Sequence, residues 1–112
     1  MSRNSHLLIG DMLESCKKIL RYTEGMSQFE FIEDDKTLDA VVRNLEIIGE
    51  ASNRIDENFK EEHQEVDWIR IRGLRNRIVH EYFGIDYEIV WNIISHFVPD
   101  LLNWLERLDA GD

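Results

Sequence analysis

Residues 38–55 read LDAVVRNLEIIGEASNRI, and this stretch decides the fold class of the 112-residue chain. The positions that mark its buried side recur at steps of three and four, the spacing of one helical face. They are Leu38, Val41, Val42, Leu45, Ile48, Ser52 and Ile55. Because Gly49 and Ser52 are small and lie on this side, a neighbouring helix could approach closely. We predict a long helix that starts near Asp35 or Thr37.

Helical signals continue on both sides of this segment. A first helix is predicted over residues 5–24, ended by Gly25. Ser27 and Glu30 form a capping box, in which each side chain bonds the other residue's backbone N–H, and it opens a short helical turn. Residues 56–66 are strongly polar and predict a solvated connecting loop with one helical turn.

Two further helices complete the sequence pattern. Asp67 is a good N-cap for a third helix over residues 68–80, in which Gly73 predicts a tight helix crossing. Gly84 breaks that helix, and Asp86 caps the last one. The single proline, Pro99, falls inside the last helix and predicts a kink near residues 95–96.

The composition favours one helical domain. One proline and six scattered glycines are too few turn-formers for a many-stranded β fold, and 43% hydrophobic residues are enough for a core. We therefore expect residues 1–112 to form a single all-α domain, an up-and-down bundle of four to five helices. The wide apolar face of the last helix, with Trp91, Phe97 and Trp104, indicates either a homodimer or a buried central helix.

Cysteine content and hydropathy bear on the cellular compartment. The one cysteine, Cys16, lies among core positions and is expected to fill space there. No apolar run reaches the roughly 18 residues that a membrane span needs. No apolar stretch of the kind found in secretory signals follows Arg3. We expect no membrane association and a cytoplasmic protein.

The net charge of −10 argues against a nucleic-acid partner, but its distribution changes that conclusion. Residues 70–80 contain Arg70, Arg72, Arg75 and Arg77 and no acidic residue. A concentrated positive strip on an acidic body is expected if one small surface meets an anion. Alternatively, these arginines form salt bridges with the surplus acids.

The chemistry of the strip depends on its predicted helical geometry. Steps of four place Arg72, Asn76 and His80 on one face, with Arg75 and Arg77 on either side. His80 would then lie near the helix C-terminus, where the macrodipole favours a protonated imidazole. The other histidines are scattered and are expected to be polar filler, with no metal-ligand spacing among them: His6, His63 and His96.

Arg75, Asn76, His80 and Tyr82 carry a family resemblance. The chain resembles the HEPN superfamily, whose mark is Arg, four residues and His, commonly with Asn after the Arg. Within it, the HepT-like toxins add a Tyr two residues past the His. The resemblance covers essentially the whole chain, and nothing in the motif departs from the pattern.

The resemblance implies a metal-independent endoribonuclease without a cofactor, acting as a homodimer whose two motifs face each other across a cleft. Arg75, His80 and Asn76 would be catalytic, and Arg72 and Arg77 would bind RNA. It also implies a toxin of a type VII-like toxin–antitoxin pair. A cognate nucleotidyltransferase antitoxin would then neutralise it by attaching AMP to Tyr82.

Other interpretations remain open from the sequence. The chain could be a non-catalytic nucleotide- or protein-binding subunit of a two-component nucleotidyltransferase, or a purely structural bundle. His80 could simply interact with the helix dipole, and Arg75 could form a salt bridge with Glu81. Tyr82 could only pack against the helix end.

Overall fold

The computed structural model describes residues 3–80 and 84–111, and for Val79, His80 and Gly111 it describes the backbone alone. The helices are α1 (Arg3–Tyr22), α2 (Gln28–Ile32), α3 (Asp35–Arg54), α4 (Glu57–Glu62), α5 (Trp68–Arg72), α6 (Leu74–Ile78), α7 (Tyr87–Asn92) and α8 (Val98–Gly111). A π-helical turn, Ile93–Phe97, joins α7 to α8, and strand β1 (Val79–His80) pairs antiparallel with β2 (Gly84–Ile85). The all-α prediction is confirmed.

The core lies where α1 packs against α3 and α8, and α5 and α6 also pack against α3. The predicted buried positions of α3 are buried, including Leu45 and Ile48. Cys16 is fully buried on α1, as expected, and burial raises the pKa of its thiol to about 12. No helix in the described ranges combines the length and apolar character needed to cross a membrane.

The predicted helix ends are set by the expected capping groups. Ser27 and Glu30 form both bonds of the capping box at the start of α2. The side chain of Asp67 accepts a hydrogen bond from the backbone N–H of Arg70, which caps α5. After α1, the chain turns through Gly25, whose φ of +77° suits a residue without a Cβ.

The last helical segment deviates from α geometry just before Pro99. Proline has no N–H to donate to the carbonyl of Ser95, and the π-helical turn occupies the residues just before it. The N–H of Val98 instead bonds the carbonyl of Ile93, five residues back. The kink position predicted from the sequence therefore coincides with a local change of helix type.

The wide apolar face of this segment is largely covered within the chain. The Trp91 ring lies against Phe31 of α2, with ring centroids 5.4 Å apart. Trp104 lies edge-on to the buried Phe97, with centroids 6.1 Å apart. The apolar surplus therefore has partners in the same chain and gives no separate argument for a dimer, which stays a prediction.

The prediction of a single third helix over residues 68–80 is wrong. This segment is divided at Gly73, which ends α5, and helical structure stops at Ile78. The backbone N–H of Asp86 donates to the carbonyl of Ile78 at 2.9 Å, and His80 pairs with Gly84. Because the returning chain supplies these hydrogen bonds, residues 79–80 are extended rather than helical.

Gly73 does not mark the tight crossing that the sequence predicted. A Cβ at this position would meet only carbonyl oxygens of its own preceding turn, those of Ile69 and Arg70. The close approach between helices lies instead at Gly49, where an added Cβ would be 3.9 Å from the carbonyl oxygen of Ile71. The expectation that α3 offers a small residue to a neighbouring helix is confirmed there.

Asp86 caps α7, so we predict that Asp86→Ala destabilises the protein. The Asp86 carboxylate accepts hydrogen bonds from the backbone N–H groups of Glu88 and Ile89, both at 3.1 Å. Loss of such a cap costs about 1 kcal/mol of unfolding free energy, measurable by urea denaturation. Asp86→Asn keeps an acceptor and should retain most of the stability; an equal loss in both variants would contradict this assignment.

Candidate active site

A groove of about 210 Å³ runs between α3 and the α5–α6 pair. Its floor is apolar and buried, with Leu45 from α3 and Ile71, Leu74 and Ile78 from the facing helices. Gly49 also lines the groove, and a Cβ there would lie 3.9 Å from the carbonyl oxygen of Ile71 on α5. Polar side chains from both sides form its walls.

One wall carries three of the residues predicted from the sequence. Arg72, Arg75 and Asn76 line the groove from α5 and α6, and all three are exposed. Arg77 is exposed on α6 but lies outside the lining. None of these arginines forms an ion pair with a carboxylate in residues 3–80 or 84–111. Their guanidinium groups are therefore available to bind an anion, since no described carboxylate of the chain pairs with them.

The backbone of His80 follows α6 in a different conformation from the one predicted. The prediction that Arg72, Asn76 and His80 share one helical face is wrong for His80, because α6 ends at Ile78 and His80 is in β1. Because His80 is not at a helix C-terminus, the predicted effect of the helix dipole on its imidazole no longer applies. Backbone pairing with Gly84 holds His80 immediately after the helix that carries Arg75. Tyr82, the predicted modification site, lies outside the described residues.

Glu81, the predicted alternative partner of Arg75, also falls outside the described part of the chain. The alternative in which the strip is a salt-bridge lattice finds no ion pair for its arginines among the described carboxylates. Arg70, however, belongs to the packing of the fold. It is half-buried, and its guanidinium carbon lies 4.4 Å from the centre of the Phe97 ring. The positive strip available to a ligand is therefore Arg72, Arg75 and Arg77.

The opposite wall was not identified from the sequence. Glu46, Glu50 and Asn53 line it, and all three are exposed along one side of α3. Their spacing of four and three could have placed them together on one strip beside the buried face. What the sequence could not supply was the neighbour of that strip, because it depends on how α3 packs against α5.

The remaining histidines lie at separate places, as expected. His6 is exposed near Asp109, at 3.9 Å, and the ring of His63 packs on Phe59. Nδ1 of the exposed His96 lies 3.1 Å from the carbonyl oxygen of Asn92. No group of three or more potential metal-ligating side chains occurs within the described residues.

A family model described as "Ribonuclease HepT-like" matches residues 12–108. "Putative RNase MJ0127" of Methanocaldococcus jannaschii is 41% identical over 88% of this chain and 81% of its own length. "Putative RNase MJ1380" of the same organism is 39% identical, over 93% and 95% respectively. "Probable ribonuclease HepT" of Thermococcus cleftensis is 35% identical, over 96% and 98%. No solved structure gives a significant match.

The packing at the groove floor predicts that Gly49→Ala is tolerated. The new methyl group would be in ordinary van der Waals contact with the Ile71 carbonyl, and alanine is favoured over glycine inside a helix. We expect the unfolding free energy to rise by about 0.5–1 kcal/mol in urea denaturation. The matched control is Gly10→Ala on α1, where an added Cβ meets nothing within 4 Å. Destabilisation by Gly49→Ala alone would contradict the described spacing of α3 and α5.

Proposed function

Because this chain belongs to the Ribonuclease HepT-like family, we propose that it is a metal-independent endoribonuclease that works with Arg75 and His80. One observation carries the proposal beyond family membership. Arg75 and Asn76 are exposed on the wall of a small groove, without an ion pair to any described carboxylate, and His80 follows their helix directly.

The proposed chemistry uses the nucleophile that RNA itself provides. The 2′-hydroxyl loses its proton as it attacks the adjacent phosphorus atom, and the 5′-oxygen gains a proton as its bond to that phosphorus atom breaks. A histidine titrates near neutrality, so His80 can accept or donate one of these protons. Arg75 offers a planar set of N–H donors to the phosphate and stabilises the additional negative charge of the transition state.

The other residues of the strip have supporting roles in this proposal. Arg72 shares the groove wall with Arg75 and would hold the phosphate backbone, and Arg77 on the exposed face of α6 would hold a neighbouring phosphate. Asn76 would orient either the phosphate or the imidazole of His80. The enzyme would act as a homodimer with the two motifs facing one cleft.

We further propose that the protein is the toxin of a type VII-like toxin–antitoxin pair, located in the cytoplasm. Its partner would be a nucleotidyltransferase that attaches AMP to Tyr82, two residues beyond His80. A phosphate group at this point would repel RNA and compete for Arg75. Expression without the partner should then arrest growth, and His80→Ala should restore it.

The nuclease proposal predicts cleavage of single-stranded RNA by the purified protein in the presence of EDTA. A substrate with a 2′-deoxy sugar at the cut position should remain intact, because it lacks the nucleophile. His80→Ala and Arg75→Ala should each lower the cleavage rate by at least about 100-fold, the usual range for proton-transfer and charge-stabilising groups. Gel electrophoresis of a labelled oligonucleotide measures all of these outcomes.

Matched controls separate catalysis from a general loss of charge. His6→Ala and Arg107→Ala remove an exposed histidine and an exposed arginine from α1 and α8, and both should cleave like the wild type. Full activity of His80→Ala would refute the assigned mechanism. Intact RNA with every variant, together with tight binding of a nucleotidyltransferase, would favour the non-catalytic binding subunit instead.

The proposed regulation predicts a covalent change at one residue. Incubation with the partner nucleotidyltransferase and ATP should add the mass of AMP to a peptide that contains Tyr82, as measured by mass spectrometry, and should abolish RNA cleavage. Tyr82→Phe should resist the addition and stay active, because it lacks only the acceptor hydroxyl. Tyr22→Phe is the matched control on α1, and loss of labelling there would contradict the assignment.

A further inference from the structure

The two walls of the groove have opposite hydrogen-bonding character. On the α5–α6 side, Arg72 and Arg75 can only donate, because a guanidinium has no acceptor. On the α3 side, Glu46 and Glu50 present carboxylates, which only accept when ionised. The four side chains form no ion pair with one another, so both walls keep their capacity for a ligand.

A ligand that satisfies both walls must carry acceptors on one side and donors on the other. A nucleotide has this arrangement when its base bears an exocyclic amino group. The phosphate oxygens accept from arginine, and the amino group of cytosine, adenine or guanine donates to glutamate. Uracil lacks an amino group, and its only donor on that edge is the N3–H between two carbonyl oxygens. A glutamate placed at the exocyclic position would therefore meet the O4 acceptor of uracil where cytosine presents its N4 amino donor.

We propose that Glu46 and Glu50 select RNA whose base in this groove carries an amino group, and that they disfavour uracil. This inference rests on the proposed function, since it makes the groove the place where RNA binds. It names a preference of that same site and assigns the specificity to α3 rather than to the arginine strip.

The dimensions and the remaining lining residues agree with a single unpaired base. A volume of about 210 Å³ is below the range of about 300–1,000 Å³ for sites of drug-sized ligands, so the groove suits a smaller group. Asn53 and Asn76 each offer a donor and an acceptor and therefore do not discriminate between cytosine and uracil. The two glutamates are the lining groups whose chemistry separates these bases.

The two glutamates also repel phosphate, and the experiment must separate this effect from base recognition. Removing negative charge from any part of an acidic protein strengthens RNA binding irrespective of sequence. Glu14 and Glu106 are exposed on α1 and α8 and do not line the groove. The double variant Glu14→Gln/Glu106→Gln therefore removes the same charge and leaves the groove walls unchanged.

The test measures the affinity of unphosphorylated cytidine and uridine trinucleotides for the full chain carrying His80→Ala, which prevents cleavage during the measurement. We expect the cytidine trinucleotide to bind at least about fivefold more tightly, the lower end for a good base-specific contact. Glu46→Gln/Glu50→Gln should reduce this ratio to below about twofold, because an amide can also donate to uracil. Glu14→Gln/Glu106→Gln should keep the ratio while strengthening both affinities.

Equal binding of the two trinucleotides, or a ratio that survives Glu46→Gln/Glu50→Gln, overturns the inference. A ratio that falls equally in the Glu14→Gln/Glu106→Gln control overturns it as well, because the cause is then general charge. Failure of the proposed function is seen separately, as the absence of RNA cleavage by the chain with His80 intact. The binding ratio is measured without cleavage and so tests the groove in either case.

Discussion

The close approach of α3 to α5 at Gly49 is the contact on which the candidate site depends. It brings a glycine of one helix beside the Ile71 carbonyl of the other and buries the apolar floor between them. The exposed polar side chains that line the groove come from the same two sides, α3 and the α5–α6 pair. The same packing that stabilises the bundle therefore produces a narrow groove whose walls are the polar strips of two helices.

Much of the fold follows from local rules that a sequence displays directly. Helical spacing located α1, α3 and the last segment, and capping residues such as Asp67 and Asp86 marked where helices start. The error at residues 79–80 has a non-local cause. The groups that end α6 come from the chain that returns after Gly84, and hydrogen-bond partners brought together by a turn are invisible to helical periodicity.

The sequence predicted one wall of the candidate site and missed the other. Arg72 and Arg75 stood out because positive charge is concentrated in this part of an acidic chain, and Asn76 because it follows Arg75 in the family pattern. The structure places all three on one wall. Glu46 and Glu50 could not be singled out from the sequence, because they are two of 23 acidic residues and lie on a solvated side of a helix. Their significance comes from what faces them, which only the tertiary packing determines.

The burial of Cys16 has a practical consequence for studies of this protein. Burial raises the pKa of the Cys16 thiol to about 12, so the folded chain keeps this thiol protonated at neutral pH, and the side chain is fully buried in the core. Thiol-directed reagents should therefore ignore the native protein and label it only after the core opens. A spectroscopic probe attached to an engineered surface cysteine would therefore label that position alone. The extent of Cys16 alkylation would measure the fraction of molecules that have unfolded.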